Sequence, residues 1–116
     1  MIADDDDQMR AVMRRYLDRA GSFEIVEAVN GPEAVLVAED ETPAVVILDY
    51  MMPGMTGEEI AKEIHDRVPE VKVIACSSVV VSQPYWADAY IDKSNLSEVA
   101  AIVADVLGSV EPTRVE

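Results

Sequence analysis

Four apolar residues at positions 45–48 run directly into a single carboxylate, Asp49, and the turn residues Pro53 and Gly54 follow shortly afterwards. An apolar run ended by turn residues is typical of a strand that is buried on both faces. In a parallel sheet, the carboxyl end of such a strand lies at the edge where ligands bind. A carboxylate at this edge needs a cation or a hydrogen-bond donor, because burying its charge alone is costly. Asp49 is therefore a candidate functional residue; the simpler alternative is a helix-capping or solvated turn residue.

Strand-like and helix-like segments alternate along the rest of the chain. Apolar periodicity predicts helices over 8–20, 33–40, 57–68 and 95–107. Short apolar segments predict strands over 1–3, 23–28, 44–48, 71–76 and 89–91. This alternation predicts right-handed βαβ units and a mostly parallel five-stranded sheet. We expect one α/β domain, doubly wound, with three α/β/α layers.

Residues typical of helix starts precede these helices. Asp6 or Asp7 is a candidate cap for the first helix, and Pro32 suits the first position of the second. Thr56 and Glu59 have the spacing of a capping box at the start of the third helix. Ser94 is the predicted cap of the last helix.

The connection between the last two strands is short, at positions 78–88. Its length is close to the minimum of about 10–12 residues for a whole βαβ crossover. Three consecutive valines favour extended structure, and Pro84 would interrupt a helix. We therefore expect at most one helical turn, so the fourth helix is shortened or missing.

Four consecutive aspartates occupy positions 4–7, directly after the first predicted strand. They could form a solvated loop whose last members cap the helix. In a doubly wound sheet, however, the first and third strands are neighbours, which would place Asp4 and Asp5 beside Asp49. Converging carboxylates repel one another unless a cation lies between them. Oxygen ligands favour Mg²⁺ or another hard divalent ion, so the sequence predicts a metal site of Asp4, Asp5 and Asp49.

The two remaining strand ends contribute Ser77 and Lys93. Taken separately, Ser77 is more simply explained as a turn residue at the end of a strand, and Lys93 as a solvated lysine. At one edge with a metal-bound carboxylate, a hydroxyl and an ammonium group would form an anion site that suits a phosphoryl group.

The charge balance narrows the range of partners. The chain has 9 basic and 23 acidic residues, a formal net charge of −14. This balance argues against direct binding to nucleic acid and against an anionic membrane surface. Cys76 is the single cysteine, and the sequence contains no signal peptide or membrane-spanning apolar stretch. We therefore expect a cytoplasmic protein.

The motifs at these strand ends resemble those of the receiver domain of bacterial two-component response regulators, whose fold is that of the chemotaxis regulators. The resemblance runs from Ile2 to Gly108, and we assign 1–108 to a receiver domain and 109–116 to a C-terminal tail. Four motifs carry the resemblance: Ala3-Asp4-Asp5, Asp49-Tyr50-Met51-Met52-Pro53-Gly54-Met55-Thr56-Gly57, Cys76-Ser77-Ser78 and Tyr90-Ile91-Asp92-Lys93. The resemblance implies a flavodoxin-like strand order, 2-1-3-4-5.

The resemblance also implies roles for individual residues. Asp49 would be the phosphoacceptor, phosphorylated by a sensor histidine kinase or a phosphotransfer protein. Mg²⁺ would be bound by Asp4, Asp5, Asp49 and the backbone carbonyl of Met51. Lys93 would bind the phosphoryl group.

Ser77, as the switch hydroxyl, and Tyr90, as the aromatic switch residue, would transmit the phosphorylation signal to a downstream protein target or output domain. Such a domain is a phosphoacceptor switch that catalyses only its own phosphorylation and dephosphorylation, and is not otherwise an enzyme.

Three departures from the family pattern stand out. Ser94 replaces the usual proline after the lysine, so we expect a trans peptide bond there. The first strand is short at its start, and the fourth crossover is shortened. The last departure predicts an altered face on which an exposed apolar patch binds a partner or forms a homodimer; the patch comprises Val79, Val80, Val81, Tyr85 and Trp86.

Alternative functions fit the sequence less well. A magnesium-dependent phosphatase of the haloacid dehalogenase class needs a second acid two residues after the first, where this chain has Met51. Four aspartates after the first strand would repel a flavin phosphate, and there is no Walker-type loop for a nucleotide. The remaining alternative is that the chain is the receiver part of a longer transcription factor or hybrid kinase.

Overall fold

The central sheet is built from five parallel strands. They are β1 (Ile2–Ala3), β2 (Glu27–Ala28), β3 (Val45–Asp49), β6 (Lys72–Ser77) and β7 (Ala89–Asp92). The computed structural model describes residues 1–21, 23–78 and 82–108. Within it the strands lie in the order β2-β1-β3-β6-β7. Counted within this sheet alone, the order is 2-1-3-4-5, which confirms the predicted topology.

Helices cover both faces of the sheet. They are α1 (Asp7–Ala20), α2 (Gly31–Glu41), α3 (Gly57–Arg67) and α4 (Val99–Gly108), with a 3-10 helix (Lys93–Glu98) leading into α4. One core cluster contains buried residues of α1 and α4, and a second contains buried residues of α2 and α3. The predicted three-layer architecture is therefore confirmed. Among the described residues, no helix is both long and apolar enough to cross a membrane.

Some predicted helix starts are confirmed and others are wrong. The Asp6 carboxylate accepts from two backbone N–H groups at the start of α1, and the Thr56/Glu59 capping box is present. The second helix begins at Gly31, one residue before Pro32, because Asn30 supplies the cap. Ser94 is not a cap. The Asp92 side chain accepts from the N–H of Ser94 instead, so the turn begins earlier, as a 3-10 helix. The peptide bond before Ser94 is trans, as predicted; the described part of the chain contains no cis bond.

A small antiparallel ribbon, which the sequence did not predict, follows Asp49. Its strands are β4 (Met51–Met52) and β5 (Met55–Thr56). Pro53 and Gly54 form the turn, and Gly54 has a φ of 85°. A type II turn needs such a positive φ, which glycine adopts without strain. The ribbon directs the chain from the end of β3 into α3.

The connection between β6 and β7 has no helix at 82–88, in agreement with the predicted shortening. The expected exposed patch is wrong for Trp86, which is half-buried against the core. Its ring lies 5.6 Å from that of Tyr50, centroid to centroid. Tyr85 is 85% exposed and its hydroxyl donates to Glu58. The three valines of the patch, Val79, Val80 and Val81, lie outside the described residues, as does the tail at 109–116. The homodimer stays a prediction.

Gly57 leaves the space into which Trp86 packs. A Cβ added at Gly57 would lie 2.8 Å from Trp86 Cη2, 3.1 Å from the Tyr50 carbonyl oxygen and 3.2 Å from that of Asp49. The two carbonyl groups belong to the backbone of Asp49 and the residue after it, so they cannot easily move aside. The indole of Trp86 and the backbone of Asp49 and Tyr50 therefore leave no room for a methyl group at Gly57.

We expect Gly57→Ala to lower the free energy of unfolding by about 1–3 kcal/mol, the usual range for an overpacked site. Urea unfolding followed by Trp86 fluorescence measures this, and a red-shifted native emission would show the indole displaced. Gly21→Ala is the control, because a Cβ there meets nothing within 4 Å. Equal stability of the two variants would contradict the packing account.

β1 is short for a central strand, as the sequence predicted. It contributes two residues and therefore gives a pairing partner only to Glu27 and Ala28 of β2. For this reason the strand predicted at 23–28 forms over its last two residues alone. A cavity of about 590 Å³ lies beside the start of β1, with Phe23, Ile25 and Val45 among its lining residues. It lies at the edge opposite Asp4 and Asp49, so it is separate from the candidate site.

Candidate functional site

Two aspartates lie side by side at the carboxyl edge of the sheet. The register of β1 and β3 pairs Ala3 with Leu48, so Asp4 and Asp49 each follow directly. Asp4 is fully buried, and Asp49 is 8% exposed. Asp4 Oδ1 accepts from the N–H of Asp6 at 2.9 Å. The fold thus brings together the two carboxylates that the sequence predicted to meet.

Asp5 completes an acidic cluster with these two residues. Carboxylate oxygens of Asp4, Asp5 and Asp49 lie within 4.8 Å of one another, and Asp5 is the exposed member. Asp4 Oδ2 is buried and has no hydrogen-bond partner among the described residues. A buried carboxylate oxygen without a donor calls for a cation. An all-oxygen set of this kind fits a hard divalent ion.

Lys93 is the cation that the fold itself provides. Its Nζ lies 3.0 Å from Asp4 Oδ2 and 3.3 Å from Asp49 Oδ1. The contact with Oδ2 is an ion pair in distance but is not aligned as a hydrogen bond. Burial would lower the pKa of Lys93, but the contact with Asp4 and the charges of Asp4 and Asp49 outweigh it and raise the pKa. Lys93 therefore stays charged between the two carboxylates.

Asp49 is held in an environment that disfavours its charge. Burial, followed by the negative charge of Asp4, raises the pKa of Asp49 from 3.8 to about 6, although Lys93 opposes the shift. One ammonium group thus does not fully compensate the carboxylates. A raised pKa at the edge of a sheet, with a specific charged neighbour, is typical of functional sites.

This environment predicts that Asp49→Asn stabilises the metal-free domain at pH 7.5. The folded pKa lies above the unfolded value, so the stability of the wild type is fully present below about pH 4 and declines as the pH rises through about 6. Allowing for solvent screening at this open edge, the gain is about 1–2 kcal/mol. Urea unfolding in EDTA at pH 7.5 and at pH 4.5 measures it. A variant equally stable or less stable at pH 7.5 would contradict the charge account.

The other predicted site residues lie nearby. Ser77 is the last residue of β6 and is buried, and the neighbouring register pairs it with Asp92, directly before Lys93. Tyr90 lies in β7, half-buried against the core cluster that contains α2 and α3. Met51 begins the ribbon two residues after Asp49, with its side chain 64% exposed. The fold thus brings Ser77 and Met51 to the edge of the sheet that carries Asp4 and Asp49, whereas Tyr90 lies further back in β7, level with Ala75.

Arg10 is a contact of this site that the sequence analysis missed. Its Nη1 donates to the backbone carbonyl of Asp4 at 2.7 Å, and its Nε donates to Glu27 at 2.9 Å. The same guanidinium group contacts Asp7. An arginine six residues after Asp4 is not a recognisable signal, because its contacts with Asp4 and with Glu27 of β2 depend on how α1 packs on the sheet.

These observations define a single-domain parallel α/β sandwich. Carboxylates and a lysine lie together at the switch point of its sheet. A family model described as "Response regulator receiver domain" matches residues 1–95. The chain therefore belongs to the response regulator receiver domain family.

Curated and solved proteins agree with this assignment. The chain is 35% identical to the transcriptional regulatory protein SrrA of Staphylococcus aureus over 100% of its own length and 50% of that protein. It thus spans about half the length of this relative. The response regulator TrrA from Thermotoga maritima, solved in complex with Mg²⁺-BeF, is 31% identical with a TM-score of 0.81, covering 90% of this chain and 95% of that one. A DNA-binding response regulator of the LuxR family from Staphylococcus aureus is 33% identical with a TM-score of 0.77, covering 90% and 94%.

Proposed function

We propose that Asp49 accepts a phosphoryl group from a phosphohistidine and that this modification switches a partner-binding face of the domain. The carrying observation is the pairing of the buried Asp4 and Asp49 carboxylates across one ammonium group, Lys93 Nζ, at 3.0 and 3.3 Å. This arrangement holds an acceptor oxygen beside a positive charge at the open edge of the sheet. The domain is a phosphoacceptor switch, not an enzyme acting on a separate substrate.

Asp49 supplies the nucleophile. One of its carboxylate oxygens attacks phosphorus in line as the P–N bond to the donor histidine breaks, and the bond electrons leave with the imidazole. Lys93 lies where negative charge accumulates on the transferring group, so it offsets that charge without having to move far. Catalysis of this kind is mainly positioning and electrostatic stabilisation.

Asp4, Asp5, Asp49 and the Met51 carbonyl would hold Mg²⁺. When bound, the ion supplies positive charge to the oxygens of the phosphoryl group. The residues at the site fit this role because carboxylate oxygens of Asp4, Asp5 and Asp49 converge within 4.8 Å, and Lys93 sets one positive charge against the three. Receiver domains bind a metal in an acidic pocket of this kind, and the relative TrrA was solved with Mg²⁺-BeF.

Ser77 and Tyr90 would carry the signal. The acyl phosphate adds about two negative charges and strong acceptor oxygens, and the buried Ser77 hydroxyl at the end of β6 would move to donate to it. Tyr90 is half-buried in the neighbouring strand and would turn into the space vacated. The result is a shift between two states of the surface around β6 and β7.

The partners follow from this reaction. The donor would be a sensor histidine kinase or a phosphotransfer protein in the cytoplasm, and the receiver would act on a downstream target or an output domain. Because the chain spans about half of SrrA, a receiver that belongs to a longer transcription factor is the form we favour. The charge of −14 makes nucleic acid an unsuitable direct partner for the receiver itself.

The test is the intact mass of the protein after incubation with acetyl phosphate, with Mg²⁺ or with EDTA. We expect the mass gain of one phosphoryl group in the wild type with Mg²⁺ and none with EDTA. Asp49→Asn should gain nothing, because the amide lacks a nucleophilic oxygen of comparable strength. An unchanged gain in Asp49→Asn would place the acceptor elsewhere.

A further inference from the structure

We propose that Arg10 is a positioning residue for the divalent-ion site, holding the backbone of Asp4 so that Asp4 and Asp5 face the ion together. This inference rests on the proposed function above. It concerns a side chain of α1 that reaches the acidic loop from behind and touches neither the ion nor the phosphoryl group.

The acidic loop has few backbone anchors. β1 contributes only two residues to the sheet. Beyond β1, the N–H of Asp4 donates to the Ala28 carbonyl at 3.1 Å. A loop joined to so short a strand gains more than usual from a side chain that fixes it.

Arg10 provides this fixation through three neighbours. Its side chain is 11% exposed. It donates to the Asp4 carbonyl at 2.7 Å and to Glu27 Oε1 at 2.9 Å, and it contacts Asp7. The guanidinium group therefore ties the loop both to β2 and to the first turn of α1. A planar fork with several donors suits such bridging, whereas a lysine could replace only one of these bonds.

Arg14 offers a matched comparison one helical turn further along. Its Nε donates to the other oxygen of Glu27, Oε2, at 2.7 Å. Its Nη2 donates to the Ile25 carbonyl at 3.4 Å, away from the acidic loop. Arg10 and Arg14 thus share Glu27 and carry the same charge, but within the part of the chain that the structure describes it is Arg10 that donates to the loop backbone, at the Asp4 carbonyl.

The direction in which the Mg²⁺ affinity changes when the arginine is removed distinguishes a positioning role from an effect of charge. Removing a positive charge near three carboxylates makes the local potential more negative, which by itself strengthens Mg²⁺ binding. Loss of positioning weakens binding instead. Loss of a residue that orients a metal ligand typically lowers metal affinity by about 10–100-fold.

The experiment is calorimetric titration of the full chain with MgCl₂ at a temperature well below unfolding. We expect the Kd of Arg10→Gln to rise about tenfold or more, and that of Arg14→Gln to stay within about twofold of the wild type or to fall, as the charge argument predicts. Arg10→Lys should lie between the wild type and Arg10→Gln. Circular dichroism checks folding. If Arg10→Gln is unfolded, Arg10→Lys is compared with Arg14→Lys: a weaker affinity for Mg²⁺ in Arg10→Lys supports the inference, and equal affinities contradict it.

Two results would overturn the inference. If Arg10→Gln and Arg14→Gln shift the Kd equally, the effect is one of charge or of general stability and Arg10 has no positioning role. If Arg10→Gln binds Mg²⁺ as tightly as the wild type or more tightly, the loop does not need Arg10 to hold the backbone of Asp4. In both cases the proposed function stands, because the wild type still binds the ion. A wild type that binds no Mg²⁺ removes the proposed function together with the inference.

Discussion

Lys93→Met is expected to slow phosphorylation by acetyl phosphate at least about 100-fold, the effect typical of removing one charge-stabilising donor from a transition state. Lys93 Nζ lies 3.3 Å from Asp49 Oδ1, where the transferring group would meet the acceptor. Its raised pKa keeps it charged at neutral pH. Methionine keeps the length of the side chain but removes the charge. Intact-mass spectrometry at successive times gives the rate.

The control for this variant is Lys62→Met, on the exposed face of α3. It changes the net charge by the same amount outside the acidic cluster of Asp4, Asp5 and Asp49, so we expect its rate to equal that of the wild type. Circular dichroism of both variants excludes unfolding as the cause. Equal rates for Lys93→Met and the wild type would show that the ion pairs of Lys93 are structural only.

Asp4→Asn is expected to weaken Mg²⁺ binding by roughly 100-fold or more, beyond the range seen when only an orienting neighbour of a ligand is lost. An uncharged NH₂ group would replace the buried Oδ2 of Asp4, so the site would lose one anionic oxygen. Asparagine can still accept from the N–H of Asp6 through Oδ1, so the loop keeps its local hydrogen bond. Calorimetric titration with MgCl₂ measures the Kd directly.

Asp18→Asn is the matched control for that experiment, because Asp18 is exposed near the end of α1. It removes one negative charge without changing the acidic cluster of Asp4, Asp5 and Asp49. Similar losses of affinity in the two variants would mean that the total charge of the chain attracts the ion and that Asp4 is not a ligand. A loss confined to Asp4→Asn supports the acidic pocket as the binding site.

Features set by local chemistry were predictable from the sequence. The fully apolar run before Asp49 predicted a central strand, and alternation of strands and helices then fixed which ends share an edge. Asp6 and the Thr56/Glu59 pair act within three residues of their partners, so their capping roles follow from spacing alone. The meeting of Asp4 with Asp49 follows from topology, since neighbouring parallel strands end at the same edge.

Features that depend on distant packing were not predictable. Trp86 read as exposed because nothing in the sequence shows that Gly57 leaves room for an indole. The contact between Arg10 and Glu27 joins residues that are 17 positions apart, through the crossing of α1 over β2. Ser94 has the right side chain for a cap, but the carboxylate of Asp92 accepts from its N–H and hydroxyl instead. The first two outcomes depend on geometry between elements, whereas at the last helix two side chains two residues apart compete to cap the same turn.

The central claim is that the acceptor is Asp49, in the acidic cluster at the carboxyl edge of the sheet. Borohydride reduces an aspartyl phosphate to homoserine, so peptide mapping by mass spectrometry after phosphorylation and reduction identifies the acceptor residue. We predict homoserine at position 49 in the sample with Mg²⁺ and aspartate there in the sample with EDTA. Homoserine at any of positions 4–7, or a phosphoryl mass gain with no homoserine at all, would contradict the account.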